Sequence, residues 1–319
     1  MNLPNNDKLN FLVSIEVKYG QALTGGIVAM HKLAYNLANR GHNVFTFCEP
    51  EYKHENIKVI PSRLVKVNET ETKMEWDLFH YPMNKTVSIY PQIVVGNPHN
   101  TSNVTRWILY HTEPQIEQTY GDEDVYFNFG SFKTVKNVPH KKLTVFNYYF
   151  DRLFITNQGS RKGFCHLSHK NTPPDGNKMF DNFNSFDLGR WKTSGAFDYL
   201  REQFNKFEYF LTYDQKSFFT VAATLCGCKA IILKSDTHTE ERTNAFTLSE
   251  DYGKTLTPTE YRLSNPIQMF GVAYGFDDIS WANKTIGFAR DYIQELEKID
   301  QKSVDDFISY WEKKLLSNG

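Results

Sequence analysis

Cysteine is scarce in this chain: Cys48, Cys165, Cys226 and Cys228 are the four in 319 residues. They form no CxxC pair and no metal-ligand cluster, so buried free thiols in a reducing compartment are expected. Cys226-Gly227-Cys228 has a metal-like look, but thiols on either side of a helix-ending glycine point apart. Excess charge is also lacking, with 36 Lys and Arg against 37 Asp and Glu. That balance gives no reason to expect a nucleic-acid partner or an anionic membrane surface. No apolar run approaches membrane-spanning length, and residues 1–8 lack the apolar stretch of a signal peptide. A soluble cytoplasmic protein with no transmembrane segment is therefore expected, if need be peripheral at a membrane that carries its substrate. No GxGxxG follows an opening strand, which argues against a dinucleotide-dependent oxidoreductase. Repeats and low-complexity tracts are missing too.

What is present is apolar and aromatic. Hydrophobic residues make up 40% of the chain, enough for real cores, and there are 25 Phe, 18 Tyr and 5 Trp. Most of those rings belong in cores, although aromatic surfaces also pack against sugar rings.

The chain opens as strand, glycine loop, helix, strand. Asn10 to Ile15 is a strand-like run, and Gly20 to Gly26 is a turn-rich loop. Ile27, Met30, Leu33, Ala34, Leu37 and Ala38 then recur at helical spacing, and Gly41 is a natural C-terminal cap. Val44 to Phe47 follows as a strand, so a parallel sheet covered by helices is expected. Further strands are predicted at Ile57–Ile60, Ser88–Val95 and Val104–Tyr110, with a turn at Gly96-Asn97-Pro98.

A second series begins near Gly159. It predicts a strand over Gly163–Lys170, a helix over Ala196–Phe204 and a strand over Phe207–Thr212. A helix over Ser217–Cys226 closed by Gly227, and a strand over Ala230–Leu233, complete it. At the C-terminus Ile279, Ala282, Ile286, Ala289, Ile293 and Leu296 form one apolar stripe. Ser303 is read as the N-cap of a last helix with Val304, Phe307, Ile308, Trp311 and Leu315 turned inward. Two domains follow, residues 1–155 and 156–319.

The stretch Tyr213 to Cys228 carries the most chemistry. A strand runs into Asp214, and a helix starts at Ser217. Unpaired N–H groups and a partial positive charge at such a start suit a phosphate. Ser217 is either a plain cap or a phosphate ligand. In the first half, Leu109-Tyr110-His111-Thr112-Glu113 ends a strand at the edge where open parallel sheets bind ligands. His111 or Glu113 there can take a proton from a hydroxyl, or His111 can be a structural hydrogen-bonder. Asp122-Glu123-Asp124 is a DxD triplet, the metal-holding pattern of GT-A glycosyltransferases. Gly121 beside it favours a solvated turn.

Tyr213 to Cys228 with Lys229-Ala230-Ile231-Ile232 resembles the donor-binding segment of GT-B glycosyltransferases. Three more segments resemble a group of bacterial and viral surface-polysaccharide glycosyltransferases: Tyr90-Pro91-Gln92-Ile93 with Gly96-Asn97-Pro98, Arg106 to Leu109, and Gly271 to Gly275. Gly25-Gly26 and Arg40-Gly41-His42-Asn43-Val44 are similar to the superfamily's first βα unit. The resemblance covers most of the chain, and the order of the motifs gives it weight. It implies an α/β GT-B fold of two Rossmann-like domains with a cleft between them, the last helices packing back on the N-terminal domain. It implies a metal-independent hexosyl- or pentosyltransferase that uses a nucleotide-diphosphate sugar as co-substrate and no cofactor. The acceptor would be a glycan or lipid-linked glycan. Asp214 would join His111 and Glu113 in catalysis. Gly25, Gly26, Lys170, Ser217, Phe218, Thr220 and Tyr274 would bind the donor. Where many retaining members carry two glutamates eight positions apart, this chain has Asp214 and Ala222. Ribose recognition is then left to other residues, and Glu240 and Glu241 are either candidates for it or part of a solvated acidic loop. A metal-dependent GT-A enzyme using Asp122 and Asp124, or a non-catalytic sugar-binding module, are the rival readings.

Overall fold

A computed structural model describes residues 8–15, 25–50, 53–60, 63–66, 72–75, 83–129, 134–136, 138–145, 152–168, 172–189, 196–214, 217–234 and 270–316. The chain divides into two compact units, Met1–Phe146 with Ile299–Gly319, and Asn147–Lys298.

The first unit is built on a parallel sheet of seven strands. They are β1 (Asn10–Val13), β2 (Asn43–Thr46), β3 (Ile57–Val59), β6 (Thr86–Pro91), β7 (Asn103–Ile108), β8 (Val125–Asn128) and β9 (Lys141–Lys142). β4 (Arg63–Lys66) and β5 (Thr72–Glu75) pair separately as an antiparallel ribbon. The sheet order is β3-β2-β1-β6-β7-β8-β9. From β1 the chain steps outward to β3, then returns to the other side of β1 at β6, so the direction of winding reverses between β1 and β6. Helix α1 (Gly25–Asn39) buries Leu33, Ala34, Leu37 and Ala38 in the same core as Phe11, Val13, Val87 and Ile89. It ends where predicted, with Gly41 at φ +84, a conformation glycine adopts without cost.

The strand expected over Ser88–Val95 stops at Pro91. Beyond it Ile93 and Val95 are turned out to solvent, 67% and 60% exposed. The turn holding them is fixed from below by Arg106, which donates to Val94 O (3.2 Å) and Gly96 O (2.5 Å). A period-two apolar pattern alone does not reveal that anchor.

The second unit carries a five-stranded parallel sheet in the order β11-β10-β12-β13-β14. Its strands are β10 (Phe164–His166), β11 (Phe186–Asp187), β12 (Tyr209–Thr212), β13 (Lys229–Ile232) and β14 (Val272–Tyr274). Helices α3 (Gly176–Asn182), α4 (Ala196–Lys206), α5 (Phe218–Leu225) and α6 (Ile279–Thr285) cover it, and α2 (Pro114–Glu117) is a single turn in the first unit. Winding reverses here between β10 and β12. Arg161 precedes β10 and donates to Phe204 O (2.7 Å) at the end of α4, so it serves the amino-terminal end of the sheet. All four cysteines are free and buried.

The apolar stripe expected from Ile279 to Leu296 is interrupted by a tight turn at Ile286–Phe288. Helix α7 then runs unbroken from Ala289 to Leu315. Ser303 lies inside it and caps nothing of its own helix. Its Oγ accepts from Thr144 N at 2.8 Å, tying the helix to the first unit. Val304, Phe307, Ile308 and Trp311 join the core of α1 and β1, and Trp311 Nε1 donates to Thr105 Oγ1 (3.1 Å). Burying a side chain of that size contributes roughly 1.5–3 kcal/mol, which holds the last turns of the chain on the first unit. The architecture is thus α/β, two Rossmann-like units with the terminal helix returned to the first.

Candidate functional site

In open parallel sheets ligands bind outside the carboxyl ends of the strands, at the point where winding reverses. Each unit has one such point.

In the second unit it lies between the ends of β10 and β12. Ser168, two residues past β10, accepts through Oγ from Tyr213 N at 3.1 Å, tying the two strand ends together. Asp214 follows; it is buried, and its N–H donates to Thr212 Oγ1 (3.0 Å). Ser217 caps α5: with φ −118 and ψ 135 it is still extended, and its Oγ accepts from Phe219 N (3.2 Å). An accepting cap keeps its own O–H proton to give, so the cap and a phosphate ligand are compatible roles for this hydroxyl. Thr220 turns its hydroxyl back to Ser217 O (2.6 Å), which spends it inside the helix. Phe218 packs edge-on against Phe197, with ring centroids 5.9 Å apart.

Tyr274 ends β14 and is buried, with its N–H donated to Asp278 Oδ2 (3.0 Å). Beside it Lys234, just past β13, pairs with Asp277 at 2.6 Å and lies over the Tyr274 ring. Gly275 makes room for that lysine: a Cβ there would stand 2.8 Å from Lys234 Cε, and its φ is +82. Ala222 is buried inside α5. Lys170, Glu240 and Glu241 lie outside the described residues.

In the first unit the reversal point lies between β1 and β6. Gly25 and Gly26 open α1, and Leu109 at the end of β7 lies 3.6 Å from the position of a Gly26 Cβ. His111 and Glu113 are both exposed beyond β7. Glu113 also starts α2, its carbonyl accepting from Ile116 N and Glu117 N at 3.0 Å, and its carboxylate accepts from Gln115 Nε2 (2.8 Å). Thr112, between the two candidates, donates to the buried Glu117 carboxylate. Glu117 takes two more donors, Val135 N (2.7 Å) and Lys136 N (2.6 Å). Three donors satisfy this buried charge, and together they set where His111 and Glu113 stand. Glu117 carried no sequence signal.

The DxD turn is not wholly solvated. Asp122 and Glu123 are exposed, but Asp124 is turned inward to Arg106, Nε to Oδ2 at 2.6 Å. Arg106 is sandwiched by Tyr90 and Tyr120, 4.8 and 4.1 Å from their ring centroids. Burial pushes the Tyr120 phenol up to about 12 and raises that of Tyr90 further. Both rings therefore stay neutral around the cation. Asp124 also accepts from Gly121 N (3.1 Å). Among the described residues no group of three or more His, Cys, Asp or Glu is placed to hold a metal ion, and no helix is long and apolar enough to cross a membrane.

No protein-family model matches the chain, and no curated protein matches it. Among solved structures it is similar to the crystal structure of MurG from Acinetobacter baumannii. The identity is 11%, over 92% of this chain and 99% of that one, with a TM-score of 0.36. At that identity and score the likeness bears on neither the site nor the activity.

Proposed function

We propose that the chain is a glycosyltransferase of the GT-B kind, moving a sugar from a nucleotide-diphosphate donor to a hydroxyl of a glycan or lipid-linked glycan. The observation that carries this reading is the Ser217-capped start of α5 beside the reversal point of the second sheet. The partial positive charge of a helix start and the Ser217 hydroxyl proton meet there, and a diphosphate is what they fit.

Transfer breaks the bond between the anomeric carbon and the diphosphate oxygen, and a bond to the acceptor oxygen forms. Negative charge grows on the leaving diphosphate. In this reading the α5 start and Lys170, which follows β10, stabilise it. Lys234, just past β13 and paired with Asp277, is a cation at the carboxyl edge of the second sheet. In the first unit His111 or Glu113 takes the acceptor proton, with Gly25 and Gly26 leaving room at the start of α1. Asp214 stands next to the phosphate segment. Ribose falls to Glu240 or Glu241. The metal-dependent rival loses support from Asp124, whose carboxylate is committed to Arg106.

A thermal-shift screen against nucleoside mono- and diphosphates and their sugars tests the reading. A diphosphate should raise the melting temperature more than its monophosphate. Indifference to every diphosphate would contradict it.

A further inference from the structure

Gln92 is the first residue past β6, and Leu109 the first past β7. The two are joined, Leu109 N donating to Gln92 Oε1 at 3.1 Å. The Gln92 carbonyl in turn accepts from the Tyr120 hydroxyl, and Tyr120 is pinned beneath Arg106. The residue is therefore held at both its backbone and its side chain. With Oε1 spent on Leu109, the side chain keeps two N–H donors, and these make no hydrogen bond among the described residues. Gln92 is half-buried at the reversal point of the first sheet. A side chain tied through its oxygen, with an unspent NH2 at such a point, has donors to offer a ligand.

The next residue after Leu109 supplies a second surface. Tyr110 is 42% exposed, and its ring meets His111 edge-on at 5.1 Å between centroids. An exposed ring held at a strand end offers an apolar face with a polar tip.

We propose that Gln92 and Tyr110 form a carbohydrate subsite at the carboxyl edge of the first sheet. The Gln92 amide donates to sugar hydroxyl oxygens, and the Tyr110 ring covers a C–H face of the pyranose. The chemistry selects a neutral sugar over an anion: the donor is an uncharged amide, and Glu113, three residues from Tyr110 in the chain, is acidic. The proposal rests on the transferase reading in that the bound sugar would be the acceptor. It places that sugar beside Tyr110, three residues along the chain from Glu113 and next to His111.

Saturation-transfer NMR with the methyl pyranosides of glucose, galactose, mannose and N-acetylglucosamine tests the subsite, because it detects weak binding without turnover. The unaltered protein should bind at least one of them. Gln92→Met and Tyr110→Ala should each weaken that binding about tenfold, the scale of one lost hydrogen bond or ring contact. Tyr110→Phe should restore it. Tyr110 lies at the surface, so Tyr110→Ala should lower the melting temperature little, which keeps the test valid if Gln92→Met unfolds. Undiminished binding in Tyr110→Ala, or no pyranoside bound by the unaltered protein, would overturn the subsite. Nucleoside diphosphate binding, measured on the same samples, separates the two claims. Its loss with sugar binding intact counts against the transferase reading alone.

Discussion

Arg106 and Asp124 form an ion pair inside the first unit, with side-chain exposures of 0% and 7%. The guanidinium also donates from Nη1 to Val94 O and from Nη2 to Gly96 O, so one buried cation fixes the turn between β6 and β7. Asp124→Asn keeps the shape and removes the counter-charge. An uncompensated buried cation should cost about 3–5 kcal/mol in urea unfolding. Asp122→Asn, two residues away and exposed, should stay within roughly 0.5 kcal/mol of the original. Equal effects of the two changes would mean that the pair does not anchor the turn.

His42 gives the first unit a pH dependence. Burial, then the charges of Lys8 and Arg40, push its imidazole from 6.5 down to about 4, despite the Glu312 carboxylate 3.9 Å from Nε2. Below pH 6.5 the unfolded chain takes up a proton that the folded imidazole refuses. Stability is therefore full above 6.5 and declines as the pH falls towards 4, by on the order of 1.4 kcal/mol per unit. His99, buried and held at about 2, acts in the same direction. Urea midpoints at pH 7 and pH 5 should differ less in His42→Gln than in the original protein. An unchanged difference would show that His42 does not carry the effect.

The candidate bases separate by kinetics. His111→Ala and Glu113→Gln, made singly, should differ. One should lower turnover by roughly 10²–10⁴ with donor affinity kept, and the other should change it little. Full turnover in both variants would put the base elsewhere.

Much of the fold was legible in local pattern. The opening strand, helix and second strand, Gly41 ending α1 and Ser217 starting α5 rest on short-range spacing and capping, which a sequence displays directly. So does the inward face of the last helix, Val304, Phe307, Ile308 and Trp311. Of the loop expected at Gly20 to Gly26, residues 20–24 lie outside the described residues and Gly25 and Gly26 belong to α1. What was hidden depends on partners far apart in the chain. Ser303 has the look of a cap, yet serves Thr144, 159 positions away. Asp124 has the look of a solvated turn residue until Arg106 is placed beneath it. Gln92 lay within a recognised segment, but its tie to Leu109 N exists only in the folded chain. Glu117 carried no local sign at all, because Thr112, Val135 and Lys136 converge on it only in the folded chain.

The central claim is that a leaving nucleoside diphosphate is stabilised at the start of α5 with help from Lys170. Release of nucleoside diphosphate from a panel of nucleotide sugars, followed at saturating donor, tests it most directly. The original protein should release the diphosphate from at least one donor, at a rate that survives a chelator. Lys170→Ala should slow that release roughly a hundredfold or more, the scale of one lost preorganised donor. Ser217→Ala should slow it less, since the backbone N–H groups remain. No release from any donor, or a rate in Lys170→Ala equal to the original, would contradict the account.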